Sequence, residues 1–182
     1  MKSLDFTKWH CTTFSLILII VSLFAIMNVT NDRIVEKKIY DLGHDMLPTA
    51  PLFTNDLQVG ITLMVLLYKI PTWSNTKIHS YLTFMALMLF FRMLTTYVTT
   101  LPVARDIGPC KPGFLTKCND YIFSGHTTFN VVTSFFIGAP LWPMWPLVAS
   151  VGTVASRNHY TVDVLLAWLI FLSLKSNMPS AI

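Results

Sequence analysis

Residues 157–175 read RNHYTVDVLLAWLIFLSLK, a string that opens with groups able to bind or move a phosphate and closes as an apolar run. His159 and Asp163 are four residues apart, a spacing that on a helix puts both on one face within contact. A carboxylate so placed holds the imidazole in one tautomer and raises its nucleophilicity. A second string, SGHTT at 124–128, heads another apolar run and supplies a separate imidazole, His126. A reaction that needs both a nucleophile and a proton donor calls for two such groups. The chain therefore reads as a membrane-embedded enzyme of phosphate esters.

Composition supports a bilayer setting. Of 182 residues, 53% are hydrophobic and 12% charged, where ordinary globular chains carry about 25% charged residues. A soluble domain this small would expose too much apolar surface. The formal charge of +4 comes with no Lys/Arg cluster, so nucleic acid is not an expected partner. Three cysteines are too few for a disulfide scaffold. Cys110 and Cys118 bracket a short polar loop and either pair in an oxidising compartment or remain two small unpaired residues. Cys11 reads as a packed thiol.

Six apolar segments can be marked against the roughly 20 residues that a spanning helix needs. They run over about 11–29, 56–71, 78–101, 124–138, a segment after the turn APLWPMWP that ends near Ser156, and 159–175. The expected fold is all-α: a polytopic six-transmembrane-helix bundle forming a single membrane domain over 1–182. No cleavage site follows the first apolar run, so it is expected to be retained rather than removed as a signal peptide. With six spans, the loops 30–55, 102–124 and 156–159 share one side of the membrane. SGHTT, RNHYTVD and the loop string YDLGHDMLP then meet at one surface.

FFRMLTTYVTTLP in the third span places Arg92, Thr95, Thr96 and Thr99 at helical spacing. An arginine within a span is costly by several kcal/mol unless it is paired or lines a wet cavity. Arg92 is therefore expected to face the bundle interior and bind an anion bidentately. Arg157, two residues before His159, is expected as the second arm of a phosphate clamp. Ser124 is a good helix cap, and the amides that open a helix at Ser124 and Gly125 attract an anion beside His126. His44 and Asp45 are candidates for headgroup or acceptor recognition. Tyr97, Asp120 and Tyr121 could face a choline ammonium, although ethanolamine would suit the same groups. No metal site is expected, since neither HExxH nor CxxC occurs and the two histidines lack a third ligand at a known spacing.

Three strings, RMLTTYVTTLP, CNDYIFSGHTT and ASRNHYTVDV, together resemble the sphingomyelin synthase-related branch of the type 2 phosphatidic acid phosphatase (PAP2) superfamily. They come in the family's order and cover residues 92–164. The resemblance implies a double displacement without metal or other cofactor. His159 would attack a phospholipid's phosphodiester with Asp163 orienting it, and His126 would protonate the departing diacylglycerol oxygen. A second lipid, ceramide or diacylglycerol, would then take the headgroup from phosphohistidine. It also implies cytosolic termini and an active site facing the lumen of an endomembrane compartment or the cell exterior. The chain departs from the wider superfamily's phosphatases, which carry an arginine six residues before the second histidine. Here that position is Thr153. This favours the synthase branch. A lipid phosphate phosphatase, and more remotely a non-catalytic lipid-binding protein, are the alternatives.

Overall fold

The computed structural model describes residues 6–31, 39–99, 101–102, 122–138 and 142–177, with side chains from residue 12 onward in the first segment and through residue 26. All regular structure among them is helical: α1 (Phe6–Asn31), α2 (Leu42–Met46), α3 (Phe53–Lys69), α4 (Asn75–Val98), α5 (Gly125–Ile137), α6 (Met144–Ala155) and α7 (Thr161–Ser176). A 3₁₀ turn, Ile70–Thr72, closes α3 at Pro71, whose ring cannot continue the ladder.

Helix ends follow local chemistry. The Ser74 hydroxyl accepts from the Lys77 amide to start α4, and the Ser124 hydroxyl accepts from the Thr127 amide to start α5. Gly138, at φ +80°, ends α5 in a conformation that L side chains rarely adopt.

Helices occur at all six expected apolar segments, with shifted ends. One of them, Asn75–Val98, is long and apolar enough by length and composition to cross a membrane; the apolar stretches Thr12–Ile26 and Met144–Ala155 are shorter. The six-span count thus does not follow from helix length alone. The last segment differs in kind, because α7 begins at Thr161 and leaves His159 in the turn before it. Tyr160 is extended, with ψ 157°, and so separates the histidine from the helix.

α5 is the central helix, packed against α3, α4, α6 and α7, while α1 lies along α4 and α2 sits against α6 and α7. The hydrophobic core is an aromatic cluster. Phe171 of α7 is fully buried and stacks near Phe84, Phe135 and Trp142, with ring centroids 5.4 to 5.5 Å away. Lys175 lies 5.1 Å from the Phe135 and Trp142 rings, its stem along the apolar surface.

The interior holds polar side chains beside this apolar core, and many large apolar side chains lie on the outside. Thr62, Asn130, Thr133, Ser134 and Thr153 are buried, whereas Phe14, Ile20, Phe24 and Met64 are each about two-thirds exposed. Exposure of so many large apolar side chains is unusual for a protein solvated by water. Some of these interior polar groups bond to one another within the bundle. Thr62 donates to Asn130 Oδ1, Trp145 Nε1 donates to Thr62 at 2.7 Å, and Asn130 Nδ2 donates to the His126 carbonyl at 2.9 Å. Where water is scarce each such group needs an internal partner.

Phe171 is three helical turns from His159, so its packing can be tested apart from the site. Phe171→Ala should destabilise the bundle by about 3 kcal/mol, the usual size for a buried aromatic truncation. Thermal melting in detergent micelles should show the lower midpoint, with the environment of His126 and His159 unchanged below it.

Candidate active site

The site begins with the turn from α6 into α7. Arg157 has φ 59°, a left-handed backbone rare for a long side chain and unfavourable by about 1–3 kcal/mol. Its guanidinium offsets that strain by reaching back to α2, donating to the carbonyls of His44 and of Leu47, the latter at 2.9 Å. A clamp on phosphate was expected of Arg157. The structure gives its donors to backbone carbonyls instead, because the left-handed turn swings the side chain toward α2.

The turn sends His159 inward, where it is 5% exposed. Its Nδ1 lies 3.4 Å from Asp163 Oδ2. The pair is close, as the spacing suggested, but not because both sit on a helix. Asp163 is in the first turn of α7, and its Oδ2 accepts from the Tyr160 amide at 2.9 Å, which brings the carboxylate back over the preceding turn. With Nδ1 turned to the carboxylate, Nε2 is the nitrogen on the far side of the ring.

His126, second residue of α5, approaches from the other side. The two imidazole rings are 5.7 Å apart and nearly perpendicular. The Ser124 amide donates to the Asp163 carbonyl at 3.3 Å, which ties the start of α5 to the first turn of α7. On the way to α5, Arg92 of α4 donates through Nε to the Phe123 carbonyl at 2.9 Å. The guanidinium then lies directly over Gly125. A Cβ at that position would meet Arg92 Nη1 at 2.8 Å and Cζ at 3.0 Å. A side chain there would have to push the guanidinium from its place beside the start of α5. An anion at that place would face both a guanidinium and a helix N-terminus.

Of the residues expected in the site, Arg92, Ser124, Gly125, His126, His159 and Asp163 come together at one end of the bundle. His44 joins them from behind, its Nε2 donating to the His159 carbonyl at 3.0 Å and its ring stacked 5.4 Å from Tyr160. Asp45 is exposed on α2, and Tyr97 is 62% exposed near the end of α4. Asp120, Tyr121 and the Cys110–Cys118 loop lie outside the described residues. Among the described residues, no three His, Cys, Asp or Glu side chains gather in a metal-binding group.

Two residues at the site had not been singled out from sequence. Asp56, in the first turn of α3, places Oδ1 3.9 Å from His126 Nε2. The signal for it was a carboxylate at the very head of an apolar run, on the side that parity assigned to the other motifs. Asp41 binds the start of α7 from α2, and only its place inside YDLGHDMLP hinted at it.

A family model described as PAP2 superfamily C-terminal matches residues 117–176, which span His126, His159 and Asp163. A phosphatidylcholine:ceramide cholinephosphotransferase 1 from Caenorhabditis elegans is 29% identical over 175 residues, covering 70% of this chain and 36% of that protein. A phosphatidylinositol:ceramide inositolphosphotransferase 3 from Arabidopsis thaliana is 35% identical over 80 residues, 37% of this chain and 27% of that protein. The human phosphatidylcholine:ceramide cholinephosphotransferase 1 is 31% identical over 116 residues, 44% of this chain and 28% of that protein. The alignments thus span about a third of the length of these relatives. Residues 117–176 thus match the C-terminal domain of the PAP2 superfamily, and the chain is similar to ceramide headgroup transferases of its sphingomyelin synthase-related branch.

Proposed function

We propose that the protein is a membrane-embedded headgroup transferase that moves a phosphoryl headgroup, phosphocholine in the leading reading, from a glycerophospholipid to ceramide. The observation that carries this is the meeting of two imidazoles, 5.7 Å apart, with a buried carboxylate behind one of them. That arrangement offers one phosphorus atom a nucleophile and a proton donor at once.

In the first step His159 Nε2 attacks phosphorus and the bond to the diacylglycerol oxygen breaks. The His126 imidazolium gives its proton to that oxygen, so diacylglycerol leaves as the neutral alcohol. Asp163 stabilises the positive charge that forms on the His159 ring. Arg92 and the α5 amides face the phosphoryl oxygens as negative charge concentrates on them. In the second step His126, now neutral, takes the proton from the acceptor's hydroxyl. The acceptor oxygen attacks phosphorus, the N–P bond breaks, and both imidazoles return to their starting states.

The donor and acceptor classes are suggested by the relatives' names, which pair ceramide with either phosphatidylcholine or phosphatidylinositol. Lipid substrates also suit a bundle with an apolar exterior. In this reading six helices cross the bilayer, the termini are cytosolic, and the site opens to the lumen or the exterior.

Purified protein in mixed micelles, given headgroup-labelled phosphatidylcholine with and without ceramide, should form labelled sphingolipid only when ceramide is present. Water-soluble phosphocholine appearing with no new lipid would rule out transfer in favour of hydrolysis. His159→Ala should lower conversion by about 10⁴-fold, and Asp163→Asn by about a thousandfold.

Arg92→Lys keeps the charge but loses the planar fork, and should lower turnover by about a hundredfold in the same assay. Gly125→Ala should mimic that loss by displacing the Arg92 guanidinium. An unchanged rate in both variants would remove Arg92 from phosphate binding.

A further inference from the structure

Asp41 lies about 120 residues before the RNHYTVD motif, yet its carboxylate binds the start of α7. Oδ2 accepts from the Thr161 amide at 2.7 Å, and Oδ1 accepts from the Thr161 hydroxyl at 2.7 Å. Oδ1 also accepts from the His44 amide at 2.9 Å, where it caps α2. One carboxylate therefore fastens two helix starts to each other. Thr161 is the first residue of α7, and its amide is among those that an α-helix leaves without an internal acceptor.

The same short segment makes further bonds, all to the turn that carries His159. His44 Nε2 donates to the His159 carbonyl, Arg157 donates to the carbonyls of His44 and Leu47, and the Ala50 amide donates to the Ala155 carbonyl at 2.9 Å. The fit is close, since a Cβ on Gly43 would fall 2.1 Å from Thr161 Oγ1 and 2.8 Å from Val154 Cγ1. Residues 41–50 thus bracket the turn on its outer side from Ala155 to Thr161, while Asp163 holds it from within. A turn containing a left-handed arginine has no regular ladder of its own to fix it.

We infer that residues 41–50 form a strap that aims the His159 imidazole, with Asp41 and His44 as its positioning residues. Neither residue contacts phosphorus. Their effect passes through the Thr161 amide and the His159 carbonyl to the ring. Burial works against charge on Asp41, but the bonds from Thr161 and from the His44 amide outweigh it and hold its carboxyl below the usual carboxylate range. A carboxyl lowered in the folded state stabilises above its ordinary value and loses that effect only as pH falls through the lowered one. The strap therefore stays fastened throughout the neutral range. The term positioning rests on the proposed role of His159 as nucleophile.

The test has two arms on the full chain in micelles. In the first, diethyl pyrocarbonate modifies exposed imidazoles, and mass spectrometry compares His159 with His79 at the opposite end of α4. Asp41→Ala should raise His159 labelling about tenfold or more and leave His79 unchanged, with Asp41→Asn in between. An equal rise at both histidines would mean general loosening of the fold and overturn the inference, as would no rise at His159. In the second arm, Asp41→Ala should lower kcat by about ten- to a hundredfold with KM within about twofold. His44→Ala should fall similarly, and His44→Gln, which can still donate to the carbonyl, should recover most of the rate. A KM effect alone would overturn it. Because the labelling arm needs no substrate, absence of lipid conversion by the wild-type chain would sink the transferase reading while leaving the strap to be judged on His159 labelling.

Discussion

Asp163 joins the two motif strings into one place. Its carbonyl accepts from the Ser124 amide at the head of α5, and its carboxylate accepts from the Tyr160 amide and lies 3.4 Å from the His159 ring. It is fully buried, and a carboxylate without partners in such surroundings would be strongly unfavourable. These contacts let it persist there, and in turn they dictate where both imidazoles stand. Removing them would separate the starts of α5 and α7, and with them His126 from His159.

Around that point the molecule departs from the usual order of a water-soluble protein. Polar side chains lie inside beside the apolar core, some bonded to one another from α3 through α5 to α6, and many large apolar ones lie outside. The far half of the bundle is closed by aromatic packing around Phe171 and carries no ionisable pair among its described residues. The ionisable groups of the motif strings gather at the other end, where the helix starts of α3, α5 and α7 converge with Arg92. Proton transfer needs some access to water, and headgroups are found where a bilayer meets it. A site at one end of the bundle satisfies both requirements on the proposed reading.

Arg92 and Arg157 show how residues of one type diverge in use. Arg157 stands two residues from a motif histidine and Arg92 lies in a separate helix, yet both suited a phosphate by charge. Arg92 projects from a regular helix and is oriented by the Phe123 carbonyl over a residue without a side chain. Arg157 sits in a left-handed turn that directs its side chain away, onto α2. Charge and spacing did not distinguish them; backbone conformation did.

Residue order alone determined the helical class, the apolar segments, the resemblance to the PAP2 superfamily and the pairing of His126 with His159 and Asp163. These depend on local composition and on the spacing of residues within short strings, both of which are readable along a line. The tertiary structure decided that His159 belongs to a turn rather than a helix, that Arg157 serves α2, and that Asp41 and Asp56 stand at the site. Each of those outcomes rests on a contact between segments about 70 to 120 residues apart in the chain. Such contacts are chosen by how whole helices pack and by where buried donors find acceptors, and no short window of sequence holds that information.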